Sequence, residues 1–281
     1  MLNIFYRDSH LQGRMSGPKK VIENLLRSLD DCEVDYAINR EVYQHNFFLQ
    51  WDRPHIEIYG GLRNKQTLLV GPQIWPYGGD EVSQLTEYGK IIVPGWWVQR
   101  SYETSFPSLR TLKWPVGIYE PEIYDDQSIN CLIYYKNRPV EDLQYVKEML
   151  SKRRLTHIQL EYGSYTQQNF REALSSVKFC VIIDNTESQG IAIQEMMAVN
   201  KPLYVWDQPI WDHMGDQYTV PASSVPYWSP ECGEKVVNKE DLEFTLDKFI
   251  SNLKNYTPRE YVNRELSPQK SVQILLDHYE N

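Results

Sequence analysis

The chain has 281 residues, more than one typical domain and enough for two of moderate size, each able to bury its own core. A formal net charge of -9 leaves no extended basic surface for duplex nucleic acid, so nucleic acid is an unlikely partner, although a local patch can still hold phosphate. No run approaches the roughly 18 apolar residues a membrane span needs, and MLNIFYRDSH has no basic start leading into a long apolar segment; the expectation is a soluble protein of the cytoplasm, free or peripheral to a membrane.

In chain order, short apolar runs alternate with helical patterns, the signature of α/β units with parallel strands. Leu2 to Tyr6 reads as a first strand, HLQGRMSG as its exit loop, and a helix opens at Pro18 with Val21, Ile22, Leu25, Leu26 and Leu29 on one face. Residues 38 to 66 show no firm period, and Thr67 to Val70 and Lys90 to Val93 look like further strands. FPSLRTLKWPVGIYEPEIYDDQ carries three prolines in a broken, polar pattern and is placed as the hinge. Beyond it the spacing predicts strands at Ile129 to Tyr135, His157 to Tyr162, Phe179 to Ile183 and Leu203 to Trp206. Helices are predicted between them at Val140 to Ser151, Gln167 to Ser175 and Gly190 to Val199. Lys239 to Leu253 and Pro258 to Tyr279 read as two closing helices. The expected division is 1–117, 118–257 and a C-terminal helix at 258–281 that packs back on the first domain. Cys131 and Cys180 sit in apolar runs and, with Cys32 and Cys232, read as reduced core thiols.

Three loops follow strands and open helices, where ligands bind to open α/β sheets because helix N-termini present unpaired N–H groups. In GRMSGPKK, Gly13 and Gly17 permit close backbone approach while Arg14, Lys19 and Lys20 add charge. That suits a phosphate cradle, or a glycine turn with solvated lysines, and matches neither the Walker pattern nor the dinucleotide fingerprint. In YYKNRP, Lys136 and Arg138 stand at the end of a strand, where a diphosphate needs cations, unless the segment is a surface turn. In ESQGIAIQEMMAVNKPLYVWD, Glu187 stands in the exit loop with Ser188 and Gln189, Gly190 opens the helix at Ile191, and Glu195 lies in the middle of an apolar run. A carboxylate taken out of water there needs a partner. Trp75 and the pair Trp96-Trp97 can stack on sugar rings or fill a core, and Tyr162 and Tyr165 around Gly163 can frame a base.

ESQGIAIQEMMAVNKPLYVWD resembles the donor-binding segment of retaining glycosyltransferases of the GT-B fold, especially family 4: Glu187, Gly190, Ile191, Glu195, Ala198, Lys201 and Pro202 fall on matching places. Met196 replaces the usual Ala and Asn200 the usual Gly, and Asn also tolerates the left-handed conformation that a helix end takes. GRMSGPKKVIENLL looks like the family's N-terminal glycine loop, WPVGIYEP like its interdomain segment and YYKNR like its leaving-group cations. The resemblance implies two Rossmann-like domains facing across a cleft and transfer of a sugar from a nucleotide-sugar, UDP- or GDP-linked, to a glycan or other hydroxyl acceptor. It further implies Glu187 on the donor sugar, the Gly190 and Ile191 amides on sugar or phosphate, Glu195 on the ribose, and Lys136 and Arg138 on the departing diphosphate. Many members carry an N-terminal His that touches the donor; His10, His45 and His55 are candidates by location. No Asp-x-Asp pair occurs, so neither a metal nor a cofactor is expected. A non-catalytic nucleotide-binding module, or an epimerase or phosphorylase of the same fold, is the alternative.

Overall fold

The computed structural model describes residues 1–13, 16–40, 44–49, 68–72, 89–124, 126–211 and 219–280. Two compact units emerge: Met1–Gly117 with Leu266–Asn281, and Ile118–Glu265.

The first unit is built on six parallel strands, β1 (Leu2–Phe5), β2 (Tyr36–Ile38), β3 (His45–Leu49), β4 (Leu68–Gly71), β5 (Lys90–Val93) and β6 (Thr111–Lys113), in the order β2-β1-β3-β4-β5-β6. Ser16 caps α1 (Gly17–Asp31), its hydroxyl accepting from the Lys19 amide, and Val21, Ile22, Leu25 and Leu29 bury one face at helical spacing. β2 and β3 fall in or beside the stretch without period. β6 lies inside the segment read as a hinge, because three residues between prolines carry no readable alternation. α2 (Trp96–Ser105) was not foreseen either; its Trp97 is fully buried whereas Trp96 is exposed.

In the second unit β7 (Ile129–Lys136), β8 (His157–Glu161), β9 (Val177–Asp184), β10 (Leu203–Trp206) and β13 (Gly233–Val236) form a parallel sheet ordered β13-β10-β9-β7-β8. β11 (Ile210–Trp211) and β12 (Val220–Pro221) make a small antiparallel pair. Between the sheet strands run α3 (Val140–Lys152), α4 (Gln167–Ser176), opened by a Thr166–Asn169 capping box, and α5 (Ile191–Ala198). β9 is buried at every position but Lys178, as a strand covered on both faces requires. Phe179, Val181, Tyr204, Trp206 and Phe249 fill the core with Cys131. All four cysteines are free thiols.

Both sheets grow outward in two directions from their first strand, β1 between β2 and β3, and β7 between β8 and β9. At such a reversal the connections leave to opposite faces and open a crevice beyond the carboxyl ends.

The closing helices differ from the sequence reading. α6 (Leu242–Ser251) is followed by α7 (Pro258–Glu265) and α8 (Pro268–Glu280) where one helix was expected, because Pro268 cannot continue the helix before it. Ser267 caps the new start, its hydroxyl accepting from the Lys270 amide. α7 belongs to the second unit and α8 to the first. The α8 backbone accepts from Trp114 Nε1 (3.1 Å, at Ser271) and Lys90 Nζ (2.8 Å, at His278). In return the His278 ring donates from Nε2 to Lys113 O (2.8 Å) and the Tyr279 hydroxyl donates to Asn46 O (2.7 Å). Among the described residues no helix is long and apolar enough to cross a membrane.

Candidate active site

Lys136 ends β7, Asp184 ends β9, and the two are register partners at the reversal point of the second sheet. After Asp184 the chain loops through Glu187 to Gly190, which sits at φ +66° as the N-cap of α5. This left-handed conformation suits glycine, and a Cβ placed there lies 3.0 Å from Glu187 Cγ. Gly190→Ala is therefore expected to lose about 1–2 kcal/mol of stability and to push Glu187 aside. Denaturant melts check the first effect and the Lys136 environment read by amine labelling the second; an unchanged melt with unchanged labelling refutes the role given to the turn.

Glu187 is held on both oxygens. Oε1 accepts from the amides of Ser188 (3.0 Å) and Gln189 (3.3 Å), and Oε2 accepts from the Lys136 ammonium. Lys136 Nζ also lies 3.7 Å from Asp184 Oδ2 and 4.6 Å from the centre of the Tyr162 ring. Burial drives the ammonium toward its neutral form, but the Glu187 and Asp184 carboxylates outweigh burial and hold Lys136 above the ordinary lysine value. Asp184 is fully buried. Burial pushes its carboxyl up to about 8, with Lys136 pulling it down and Glu187 adding to the rise.

A carboxyl raised in the folded state binds a proton that the unfolded chain has already released. Its contribution to stability is thus complete below about pH 4 and is lost as pH rises toward 8. Asp184→Asn is expected to flatten the stability curve across that window, as read by denaturant titrations at several pH values.

Arg138 is engaged more fully than a solvent-facing cation. Its Nε and Nη2 each lie 2.9 Å from Asp142 Oδ2, Nη1 lies 3.2 Å from Gln208 Oε1, and the guanidinium stacks 4.7 Å from the Trp206 ring centre. Glu195 departs from the sequence expectation of a carboxylate inside an apolar helix, because it is half-buried and shares its face of α5 with Ala192. Its charge is felt by Tyr165, whose hydroxyl is raised first by burial and further by Glu195. The buried polar residue of α5 is its neighbour Gln194, 1% exposed, whose amide donates to the Gln189 carbonyl and ties down the turn before the helix. Asn200 ends the α5 turn at φ +59°, the conformation foreseen for it.

Two further aspartates escaped the sequence reading. Asp184 is one; the other is Asp207, whose Oδ1 accepts from the Ser223 hydroxyl (2.8 Å) and the Ser224 amide (2.7 Å), with Lys235 Nζ 3.4 Å from Oδ2. Ser224 Oγ donates to Asp184 O (3.0 Å), and the Glu187 amide donates to Ser223 O (3.0 Å), so this segment stitches the exits of β9 and β10 together. The signal was present: VIID and YVWD each close a buried strand on an aspartate.

Lys136, Arg138, Asp184 and Glu187 thus cluster in the second unit with Ser188, Gln189, Gly190 and Ile191 following directly. Gly163 turns at φ +83° after β8, next to Tyr162. Gly13 (φ +73°), Gly17, His10 and Lys19 belong to the first unit, in or after the loop that leaves β1; Lys19 lies 4.0 Å from Glu23. His45 starts β3, at the end of the sheet remote from the carboxyl ends, and packs on Tyr279 with the rings tilted by 49° and their centroids 4.6 Å apart. Arg14, His55 and Trp75 lie outside the described residues. Among the described residues no group of three His, Cys, Asp or Glu could hold a metal.

No protein-family model and no curated protein matches the chain. Solved structures do. Sucrose-phosphate synthase from Thermosynechococcus elongatus superposes with a TM-score of 0.61 at 10% identity, over 99% of this chain and 98% of that one. TarM from S. aureus, in a complex with fondaparinux, alpha-GlcNAc-glycerol and UDP, gives 0.54 at 10% identity over 93% of this chain, which spans 59% of the TarM chain. An alpha1,3-fucosyltransferase gives 0.50 at 10% identity, over 100% and 90%. These are GT-B glycosyltransferases, and this chain has their fold: two Rossmann-like units with parallel sheets.

Proposed function

From this shared fold we propose that the chain is a glycosyltransferase that moves a sugar from a UDP- or GDP-linked donor to a hydroxyl of a glycan or other acceptor, with retention and without an obligatory metal. The observation that carries the reading is the juxtaposition at the β7/β9 reversal: a cation, Lys136, beside Glu187, next to a glycine-capped helix whose first amides have no intrahelical acceptor. TarM, similar in fold, holds UDP.

In this reading the diphosphate lies against the Gly190 and Ile191 amides and Lys136, and Glu187 accepts from hydroxyls of the donor sugar. Glu195 accepts from the ribose, each such charge-assisted hydrogen bond contributing on the order of 1.5–3 kcal/mol. The bond from the anomeric carbon to the phosphate oxygen breaks as the acceptor oxygen bonds that carbon from the same face. The acceptor proton passes to the leaving phosphate oxygen, so no enzyme nucleophile is needed. Lys136 stabilises the charge that grows on the diphosphate. Arg138, gripped by Asp142 and Trp206, shapes the loop and contributes less to turnover than Lys136 does.

The test is a melting panel of UDP, GDP, ADP and CMP with their sugars. A ligand at about a hundred times its dissociation constant adds roughly 2.7 kcal/mol, a shift of several degrees. Glu195→Ala is expected to abolish that shift and keep the fold; a full shift in the variant removes Glu195 from the site. A stabilising nucleotide-sugar with no turnover on any acceptor favours a binding module, and no shift with any nucleotide sinks the reading.

A further inference from the structure

We propose that Asp184 is a positioning residue, a reserve partner that takes over the Lys136 ammonium when Glu187 releases it to bind the donor sugar. This rests on the donor-binding reading above. In the structure Glu187 has one oxygen on two backbone amides and the other on Lys136, so hydroxyls of a sugar can bind well only if the lysine contact yields. A lysine released there would depend on the incoming diphosphate alone for a charged partner, in a largely buried place, its side chain being 13% exposed.

Asp184 is placed to prevent that. Its Oδ1 is fixed by the Asn185 amide at 2.7 Å, whereas Oδ2 is fully buried and has no hydrogen-bond partner. Lys136 Nζ stands 3.7 Å from that oxygen, an ion-pair distance that a movement of about 1 Å turns into a hydrogen bond. Buried oxygens without a hydrogen-bond partner are uncommon and call for an explanation; here the oxygen faces the Lys136 ammonium. The charged and titratable groups around Asp184 are Lys136 and Tyr134 from β7, Arg138 from the loop after β7, and Glu187 from its own exit loop. Glu187 raises the Asp184 carboxyl, so withdrawing that charge lets Lys136 draw Asp184 toward the ionised form that accepts the hydrogen bond.

Glu187→Gln removes the first partner's charge without any donor present. The expected result is that Lys136 in Glu187→Gln stays protected from an amine-labelling reagent read by peptide mass spectrometry, and that Glu187→Gln/Asp184→Asn labels about tenfold faster, a one-unit fall in lysine pKa. Equal rates in the single and double variants overturn the proposal, and Asp184→Ser replaces Asp184→Asn if the amide disturbs folding. A second readout is steady-state transfer: Asp184→Asn is expected to lower kcat about tenfold with KM little changed, and an unchanged kcat also overturns it. If the labelling result holds while no nucleotide raises the melting temperature of the wild type, the donor reading falls and the lysine exchange stands alone.

Discussion

Lys136→Met is expected to lower the melting temperature of the protein by on the order of 10 °C and to remove the proposed sugar transfer almost completely. The substitution keeps the length of the side chain and takes away its charge, leaving the Asp184 and Glu187 carboxylates together with no cation between them. Removing one member of a buried ionic group costs about 3–5 kcal/mol, because the remaining charges stay desolvated without compensation. The deficit depends on pH in a definite direction. Without the ammonium the buried Asp184 carboxyl is raised further, so the variant loses stability as pH rises from about 4 and approaches the wild type in acid, where Asp184 holds its proton in both proteins. Lys136→Met/Asp184→Asn is expected to recover part of the stability and none of the turnover. Calorimetry across pH, with a nucleotide-release assay, measures both. A variant that melts like the wild type near neutrality would show that the three groups do not interact.

Deleting Leu266–Asn281 is expected to unfold the first unit and leave the second standing. Leu266, Val272 and Leu275 are buried in α8 and its approach. At 1.5–3 kcal/mol each they amount to roughly 5–9 kcal/mol, comparable with the total stability of a domain, about 5–15 kcal/mol. The deletion also removes the partners of Trp114 Nε1 and Lys90 Nζ. Gly117 fits closely here as well, since a Cβ on it would approach Pro268 Cα to 2.7 Å. Hydrogen exchange separates the units: protection is expected to vanish from β1 to β6 and persist from β7 to β10. A truncated chain with full protection in β1 and β3 would refute the assignment of α8 to the core of the first unit.

Much of this was readable from residues because the second unit obeys simple rules. Its strands are long apolar runs, its helices are amphipathic, and prolines, glycines and polar caps separate them, so β7 to β10 and α3 to α5 fall within a residue or two of where the sequence puts them. β2, β3 and β6 are three to five residues long; β2 is a half-buried edge strand, β3 is buried at four of its five positions and β6 lies between prolines, so none shows a readable alternation. At the site, the Glu187–Gly190 loop was legible from glycine and charge. For Asp184 the sequence carries only its place at the end of a buried strand, and it is the register of β7 against β9 that brings it to Lys136. Glu195 differs in the opposite sense: its apolar neighbours in sequence suggest full burial, and the side chain is half-buried.

The second unit is a continuous stretch interposed in the first, which the chain leaves after Gly117 and rejoins at Leu266. During synthesis at the ribosome the interposed part can therefore close while the earlier part still lacks its final segment. Six strands must wait, exposed to chaperones and to one another, until α8 emerges from the exit tunnel.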